Sequence, residues 1–383
     1  INGQIYDFGG QFIYVKREGR WDFGAGISHI PFQYGFGTNT FPVHNVNGQN
    51  LTVLSQNTDV LRNFQDAANV FTAYPISKTT RLEFGAGATI NYYRVDRYSD
   101  YYKLDTVTTS KGTTINTTYL GSDKNKISNS DEGKLIGANL NTYSLFSVNT
   151  ALIGDNSFFG VASPLEGFRY RIQAEYDFGT YHFFAPSVDL REYIRVAPVT
   201  FAARLLGYGR FGSVDGLYPQ YIGYPFYIRG YEAQTFYNNK SVSNGFTINE
   251  LSGNNLAVAN FEVRLPFTGP EKLSQFKSKF FFSELNLFFD AGLAWNSGDK
   301  IYLQKNPPVI GSTPALDANG NEQFVDGKLV TNPIYGRVPA LSAGISLRVN
   351  IFGYFVLEPY LAIPFNRTDI SKPVFGLGFT PGW

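Results

Sequence analysis

The side chains with the clearest potential chemistry in this sequence are one arginine and two carboxylates. Arg229 lies in a long polar stretch, and Glu262 and Asp290 follow in two later segments where apolar and polar residues alternate. A guanidinium carried into a protein interior needs a carboxylate partner, because an unpaired buried charge is costly. A bidentate contact would hold the arginine in place, and Gly230 would let the chain turn sharply beside it. The chemistry expected here is ion pairing, which breaks no covalent bond.

The remaining reactive side chains offer little to an enzyme or to a metal site. The chain has no cysteine, which excludes disulfides, thiol nucleophiles and thiolate ligands. Its three histidines, His29, His44 and His182, show no ligand spacing, and there is no Gly-x-Ser-x-Gly elbow. A net charge of +1 gives no electrostatic reason for a nucleic-acid partner. We therefore expect no enzyme activity, no metal and no cofactor.

The elements that carry these residues are predicted to be strands with one apolar and one polar face. Successive side chains of a strand point to opposite faces, and residues 168–178 alternate between aromatic or aliphatic side chains and charged or amide ones. The same alternation recurs at 258–267, 280–295 and 340–351. It places Glu262 and Asp290 on polar faces.

Two architectures bury such faces in opposite ways. A soluble sandwich packs its apolar faces together, whereas a transmembrane barrel turns them toward lipid and keeps the polar faces inside. The loop lengths favour the barrel, because short joints, such as those at 17–20 and 76–80, alternate with long polar ones. The long loops are predicted at 35–63, 102–138, 213–255, 296–337 and 365–372. On this interpretation the charges point inward, since a lysine or arginine facing the middle of the bilayer costs about 2–4 kcal/mol.

The predicted fold class is all-β, a transmembrane antiparallel β-barrel that spans residues 1–383 and has the lipid bilayer as its partner. No run of about 18 apolar residues is present that could form a transmembrane helix. Bacterial single-chain barrels have an even number of strands, and the chain starts at Ile1 and lacks Met. We therefore expect that N-terminal strands and any periplasmic domain precede this sequence in a longer precursor. The thirteen predicted strands lie at 4–16, 20–34, 64–76, 81–101, 139–153, 167–178, 181–196, 199–212, 256–267, 279–295, 338–351, 354–364 and 373–383.

Several short motifs follow one another in a distinctive order over residues 140–383. In chain order they are Asp155 with Phe158, Phe159 and Pro164-Leu165-Glu166-Gly167, then Ile228-Arg229-Gly230-Tyr231, then Glu262 ahead of Leu265-Pro266, then Phe288-x-Asp290-x-Gly292, and finally the aromatic C-terminal strand with Phe375, Phe379 and Trp383. This series resembles the barrel domain of the BamA/TamA-type outer-membrane assembly superfamily. Barrels of that superfamily carry [V/I]-R-G-[F/Y] in the sixth extracellular loop and F-x-D-x-G on the strand after next.

The resemblance implies a sixteen-stranded barrel, with three more strands and a periplasmic extension upstream, which is either POTRA modules or another domain. Arg229 would lock its loop in the lumen to Glu262 and Asp290 on the wall, beside Gly292. The first and last strands would pair weakly and leave a lateral seam, where a client strand adds to the exposed edge by β-augmentation. One side of that seam would consist of Phe375, Leu377, Phe379 and Trp383.

Three functions remain open at this stage. The resemblance favours a barrel that inserts outer-membrane proteins or translocates a substrate across the bacterial outer membrane of a Gram-negative cell. Its partners would be client outer-membrane proteins or a secreted substrate, with periplasmic or lipoprotein accessory subunits as further candidates. The alternatives are a structural or accessory barrel, such as a surface antigen, that binds a partner through the loops 35–63, 102–138 and 296–337, and a passive pore.

Overall fold

The wall of the molecule is one large antiparallel sheet in which each strand pairs with the next strand along the chain. The computed structural model describes residues 7–46, 49–109, 112–136, 139–236, 246–315, 322–325, 327–353, 355–367, 370 and 372–380. The strands of the wall are β1 (Gly10–Arg17), β2 (Asp22–Thr40), β3 (Leu54–Pro75), β4 (Thr80–Thr109), β5 (Tyr143–Asp155), β6 (Pro164–Gly179), β7 (His182–Phe184 and Ser187–Val196), β8 (Val199–Tyr208 and Phe211–Ser213), β9 (Asn255–Gly269), β10 (Phe282–Trp295), β11 (Ala340–Ile351), β12 (Phe355–Pro364) and β13 (Val374–Thr380).

Strand β10 shows how the alternation of residue types becomes a two-faced wall. Its polar-face residues Glu284, Asn286 and Asp290 have no solvent exposure, whereas Leu287 and Phe289 on the other face are 57% and 42% exposed. A soluble sandwich would bury the leucines and expose the carboxylates. The observed pattern is that of a wall with a polar interior and an apolar outer surface.

The sheet curves around the long segment that joins β8 to β9. Within this segment, the Tyr218 ring lies 6.3 Å from the ring of Tyr34 on β2 and 6.3 Å from that of Tyr93 on β4. Arg229, eleven positions further on, contacts Glu358 on β12. One connecting segment therefore touches strands near both ends of the sheet, and the polar face encloses a lumen. The predicted all-β antiparallel barrel is confirmed.

Two of the predicted long loops are wrong. Most of 35–63 belongs to β2 and β3, which continue as paired strands to Thr40 and Leu54 and are bridged by a small ladder between Val43–Val46 and Gln49–Thr52. Much of 102–138 is a hairpin between the distal half of β4 and a further strand, Gly112–Ile127, and helix α1 (Asn129–Ile136) follows. The β3–β4 ladder runs over all 22 residues of β3, roughly 70 Å at strand spacing. It therefore extends well beyond a bilayer's apolar band.

Two neighbouring strands are interrupted where single strands had been predicted at 181–196 and 199–212. Strand β7 breaks at Ala185–Pro186, and β8 breaks opposite it at Gly209–Arg210. Pro186 has no amide hydrogen to donate to a ladder, but its carbonyl accepts a hydrogen bond from the Gly209 amide at 3.2 Å. The two breaks are therefore matched, and the wall stays continuous.

The sheet ends at β1 on one side and at β13 on the other. Within the part of the chain that the structure describes, no ladder joins these two strands. The Phe375, Leu377 and Phe379 side chains of β13 are 69%, 47% and 68% exposed. Among the described helices, none is long and apolar enough to cross a bilayer.

Candidate functional site

The candidate site is built on the segment between β8 and β9, residues 214–254, called here the lumen loop. Two residues near its start, Gln220–Tyr221, pair with Ser252–Gly253 near its end, which closes the loop on itself. Apolar side chains then anchor it against the inner wall. The buried cluster consists of Ile222, Ile228, Tyr231, Phe246 and Leu251 from the loop and Leu256, Val258, Ala294, Val338 and Ala340 around the start of β9, the end of β10 and the start of β11.

Arg229 at the inner end of the lumen loop is held by Asp290 of β10. Its Nε and Nη2 atoms donate to the two carboxylate oxygens at 2.8 Å each, and its backbone amide donates to Oδ2 at 3.2 Å. The Asn260 amide on β9 donates to the same carboxylate at 2.9 Å and to the Tyr227 carbonyl at 2.8 Å. A two-point contact fixes both the position and the orientation of the guanidinium.

The same guanidinium also reaches β9 and β12. Its Nη1 atom lies 2.9 Å from Glu262 Oε1 and 2.9 Å from Glu358 Oε1. The charge stacks over the Phe288 ring with 3.6 Å to the centroid, a cation–π contact. Arg229 therefore ties the loop to three strands at once, and it is only 4% exposed.

Further arginines surround the carboxylates that hold Arg229. Arg348 of β11 donates to Glu262 at 2.9 Å and to Glu358 at 3.1 Å, and Arg264 donates to Glu262 at 2.8 Å. Arg348 also lies 3.5 Å from Glu284. The cluster thus combines three guanidinium groups with four carboxylates, Glu262, Glu284, Asp290 and Glu358. Each charge has partners of opposite sign, which offsets the large cost of removing it from water.

The residues next to Arg229 are fitted closely to the wall. Gly292 leaves room for the Ile228 side chain, which would collide with any Cβ at that position. Gly230 has a φ of +89°, where a β-carbon would be strained, and one would also meet the Ala362 methyl at 2.9 Å. The Tyr231 hydroxyl lies 2.9 Å from the Leu341 carbonyl oxygen and 2.9 Å from Asn366 Oδ1, which share its one proton as acceptors. The whole motif is therefore in contact with the wall.

A second polar contact connects the lumen loop to the strand beside the sheet edge. Glu232 accepts a hydrogen bond from the Tyr360 hydroxyl of β12 and, at 3.2 Å, from the Gly230 amide. The Tyr360 ring occupies the space above Gly376 of the edge strand β13, where a side chain would collide with it. The loop is thus linked through β12 to β13.

Most of the site residues proposed from sequence lie together. Arg229 meets both Glu262 and Asp290, and Ile228 packs on Gly292. The seam residues Phe375, Leu377 and Phe379 lie apart from this cluster, on the outer face of β13, while Trp383 lies outside the described residues. Sequence reasoning did not assign Glu358, Arg348 or Glu232 to the site. The first two do fall on the polar faces of alternating strands, but that alternation does not give their distance from Arg229.

Among the described residues, no group of three or more histidine, aspartate or glutamate side chains is arranged to hold a metal ion. The carboxylates of the Arg229 cluster are occupied by guanidinium groups.

Comparison with known proteins gives matches in structure only. No protein-family model matches the sequence, and no curated protein matches it. Among solved structures, CdiB from Acinetobacter baumannii matches 96% of the chain with a TM-score of 0.45 and 13% identity, and the chain covers 49% of CdiB. BamA from Haemophilus ducreyi, in a form lacking POTRA domains 1–3, matches 96% of the chain with a TM-score of 0.36 and 12% identity, and 68% of that BamA chain is covered. The chain therefore spans about half the length of the CdiB chain that it matches.

Proposed function

We propose that this chain is the barrel of an outer-membrane machine that inserts other outer-membrane proteins or translocates a substrate. The observation that carries the proposal is the lumen loop, whose Arg229 is bound by carboxylates on β9, β10 and β12. The motif order over residues 140–383 supports it independently of the geometry. The location that follows is the outer membrane of a Gram-negative bacterium.

In the proposed mechanism, the Arg229 cluster is a lock. The cluster connects the strands β9, β10, β11 and β12 to the lumen loop, so that this part of the wall stays rigid. Strand β13 pairs with β12 on one side, and no second ladder partner is found among the described residues. In the proposed mechanism, the other edge of β13 offers backbone donors and acceptors when the seam opens. A client strand pairs with that edge by β-augmentation, which satisfies polar groups that lipid cannot.

The machine as proposed makes and breaks no covalent bond and uses no cofactor. Its partners are the bilayer, a client outer-membrane protein or secreted substrate, and periplasmic or lipoprotein accessory subunits. The free energy for insertion would come from pairing the client's backbone and burying its apolar face in lipid.

The function is tested by depleting the protein in the cell and measuring the outer-membrane proteome. Loss of many unrelated barrel proteins is expected for a general insertase, and loss of one or two secreted or surface proteins for a dedicated translocator. Complementation with Arg229→Ala should fail, whereas Arg171→Ala should restore assembly, because Arg171 pairs with Glu83 on the wall, away from the lumen loop. An unchanged proteome after depletion would refute the proposal.

A second candidate function is a structural barrel that binds a partner at the cell surface. The observation in its favour is the sheet extension formed by the distal parts of β2, β3, β4 and Gly112–Ile127. This candidate predicts that depletion leaves other outer-membrane proteins intact, while removal of the extension abolishes capture of the partner.

A passive pore is the third candidate, and the lumen loop argues against it. The loop crosses the interior and buries Ile222, Ile228 and Tyr231 completely against the wall. Single-channel recordings from planar bilayers distinguish the two cases. Small, flickering currents are expected for a lumen closed by this loop, and large steady currents for an open pore.

A further inference from the structure

A cleft of about 670 Å³ lies between the lumen loop, β2 and β13. It is lined by seven aromatic side chains, six of them tyrosines, together with Gly376 and Leu377 of β13. The Arg229 cluster does not line it. The cleft is therefore a separate feature of the lumen, next to the free edge of the sheet.

Four of the aromatic rings that line this space form two stacked pairs. Tyr224 and Phe226 stack nearly parallel, with centroids 5.3 Å apart and an angle of 5°, and remain 47% and 50% exposed. The second pair is Tyr34 and Tyr218, whose centroids lie 6.3 Å apart at an angle of 4°. Ring faces carry the negative part of the aromatic quadrupole and attract cations.

The chain holds these rings in position. Arg204 of β8 donates to the Phe226 carbonyl at 2.9 Å, and Asn260 of β9 donates to the Tyr227 carbonyl at 2.8 Å. A surface that is ordered before its ligand arrives loses less conformational entropy on binding. Exposed aromatic side chains held in this way favour a binding site.

The described residues that line the cleft carry charge of one sign only. Among the described residues that line it, Glu232 is the only charged one, and there is no lysine, arginine or histidine. Glu232 is 94% buried, since its exposed fraction is 6%. Its Oε1 atom accepts from Gly230 and Tyr360, but Oε2 has no hydrogen-bond partner among the residues that the structure describes. A buried carboxylate oxygen without a partner is costly. Because Glu232 is one of the residues that line the cleft, a cationic ligand toward which this carboxylate turns would satisfy the oxygen.

We propose that this cleft binds the guanidinium or ammonium group of a basic side chain on an extended peptide segment. The Glu232 carboxylate would meet the charge, and the rings of Tyr224, Phe226 and Tyr34 would flank the side chain. The volume exceeds what one side chain needs, and the cleft borders β13, where an extended backbone would lie. The proposal goes beyond the proposed function and is tested without it, because binding is measured on the purified protein.

The test is isothermal titration calorimetry on the full chain in detergent. The probe is the peptide acetyl-Gly-Arg-Gly-Arg-Gly-amide, and its control has citrulline, a neutral isostere, at both arginine positions. The arginine peptide should bind at least about tenfold more tightly, equivalent to about 1.4 kcal/mol. Glu232→Gln should remove this preference. Asp215→Asn is the matched control, since it removes the same charge from an exposed position of the lumen loop outside the cleft, and it should leave the preference intact.

A second variant separates loss of the cleft's binding from misfolding of Glu232→Gln, because it alters the cleft at another residue. Tyr224→Leu removes an exposed ring face while leaving the carboxylate, and it should weaken the arginine peptide severalfold. Equal binding of the arginine and citrulline peptides, or wild-type affinity in both variants, would overturn the proposal. If free arginine amide binds as tightly as the arginine peptide, the claim that the ligand is an extended peptide segment is overturned. Binding of neutral maltohexaose in place of either peptide would assign the cleft to carbohydrate and would also overturn it.

Discussion

At the scale of single residues, Arg229 is expected to matter because several buried acids depend on it. Arg229→Ala would leave Asp290 without its bidentate partner and would weaken the neutralisation of Glu262 and Glu358. Removal of one partner from a buried ion cluster costs about 3–5 kcal/mol. We therefore expect Arg229→Ala to lower the free energy of unfolding, measured by urea titration in lipid vesicles, by an amount of that order.

The control for this prediction is another arginine of the inner wall. Arg171 pairs with Glu83 at 2.9 Å, but its side chain is 43% exposed. An ion pair in contact with water contributes about 0–1 kcal/mol. Arg171→Ala should thus change the free energy of unfolding little, and equal losses in the two variants would show that the cluster has no special role.

Glu250 gives the lumen loop a dependence on pH. It lies in the 3₁₀ segment Ile248–Leu251, outside the strands of the wall, and burial raises its pKa to about 7, with Arg337 opposing and Asp299 adding to the shift. Arg337 is 3.9 Å away and pairs more closely, at 2.9 Å, with Asp299. Because the folded loop holds this proton more tightly than the unfolded chain, its stability falls as pH rises from about 4.5 through about 7.

The expected result is local opening of the loop at alkaline pH. Backbone amides of residues 246–254 should exchange with deuterium faster at pH 8 than at pH 5, by about tenfold or more, after correction for the intrinsic rates. The Glu250→Gln variant carries no titrating group at this position, so its amides should exchange at the same corrected rate at pH 5 and at pH 8. A wild-type loop whose corrected exchange does not change with pH would contradict the pKa shift.

The sequence predicts some of these residues better than others. Arg229, Glu262 and Asp290 could be selected because each stands in a recognisable motif and on a polar face. Glu358 could not, because it approaches Arg229 only after the sheet has curved and the loop has entered the lumen. Glu232 directly follows the motif in the chain, but its contact with Tyr360 forms only in the folded wall. Such proximity depends on strand register and curvature, which a local pattern of residues does not contain.

At the scale of elements, the strand positions within the bilayer were predictable and the extensions were not. All thirteen predicted strands correspond to a strand of the wall, because lipid on one side and a polar lumen on the other enforce alternation. The distal parts of β2, β3 and β4 extend beyond the region in which one face of the wall meets lipid and the other meets the lumen. Stretches such as Gln56–Thr58 are polar on both faces, so a strand there has no alternating signature and resembles a loop.

The extension is therefore expected to be dispensable for the barrel itself. Lys103 and Thr118 are paired in the hairpin of β4 and Gly112–Ile127, so residues 104–117 can be replaced by an Asn-Gly turn, which suits a two-residue hairpin. The shortened protein should keep its heat-modifiable migration in electrophoresis and its free energy of unfolding. A substantial loss of either would mean that the extension helps to hold the wall together.

At the scale of the whole molecule, the distribution of charge and apolar surface decides between a soluble and a membrane-embedded protein. The centre of the sheet buries carboxylates and arginines and leaves leucine and phenylalanine side chains on its outer surface. In water this arrangement would expose an apolar band around the molecule, which soluble proteins avoid. In a bilayer the same band faces lipid, and the charged cluster is enclosed by the wall and the lumen loop.

The absence of cysteine allows a direct test of that orientation. A nitroxide spin label on Leu287→Cys, whose wild-type side chain is 57% exposed on the outer face of β10, should collide readily with molecular oxygen, which concentrates in lipid. It should collide rarely with a water-soluble nickel chelate. The neighbouring Asn286→Cys lies on the polar face with no exposure and should resist both reagents, because wall residues such as Ser346 enclose this position. Alternation of oxygen accessibility along β10 would establish the lipid-facing surface, whereas nickel accessibility at position 287 would place that surface in water and exclude the barrel's insertion in a membrane.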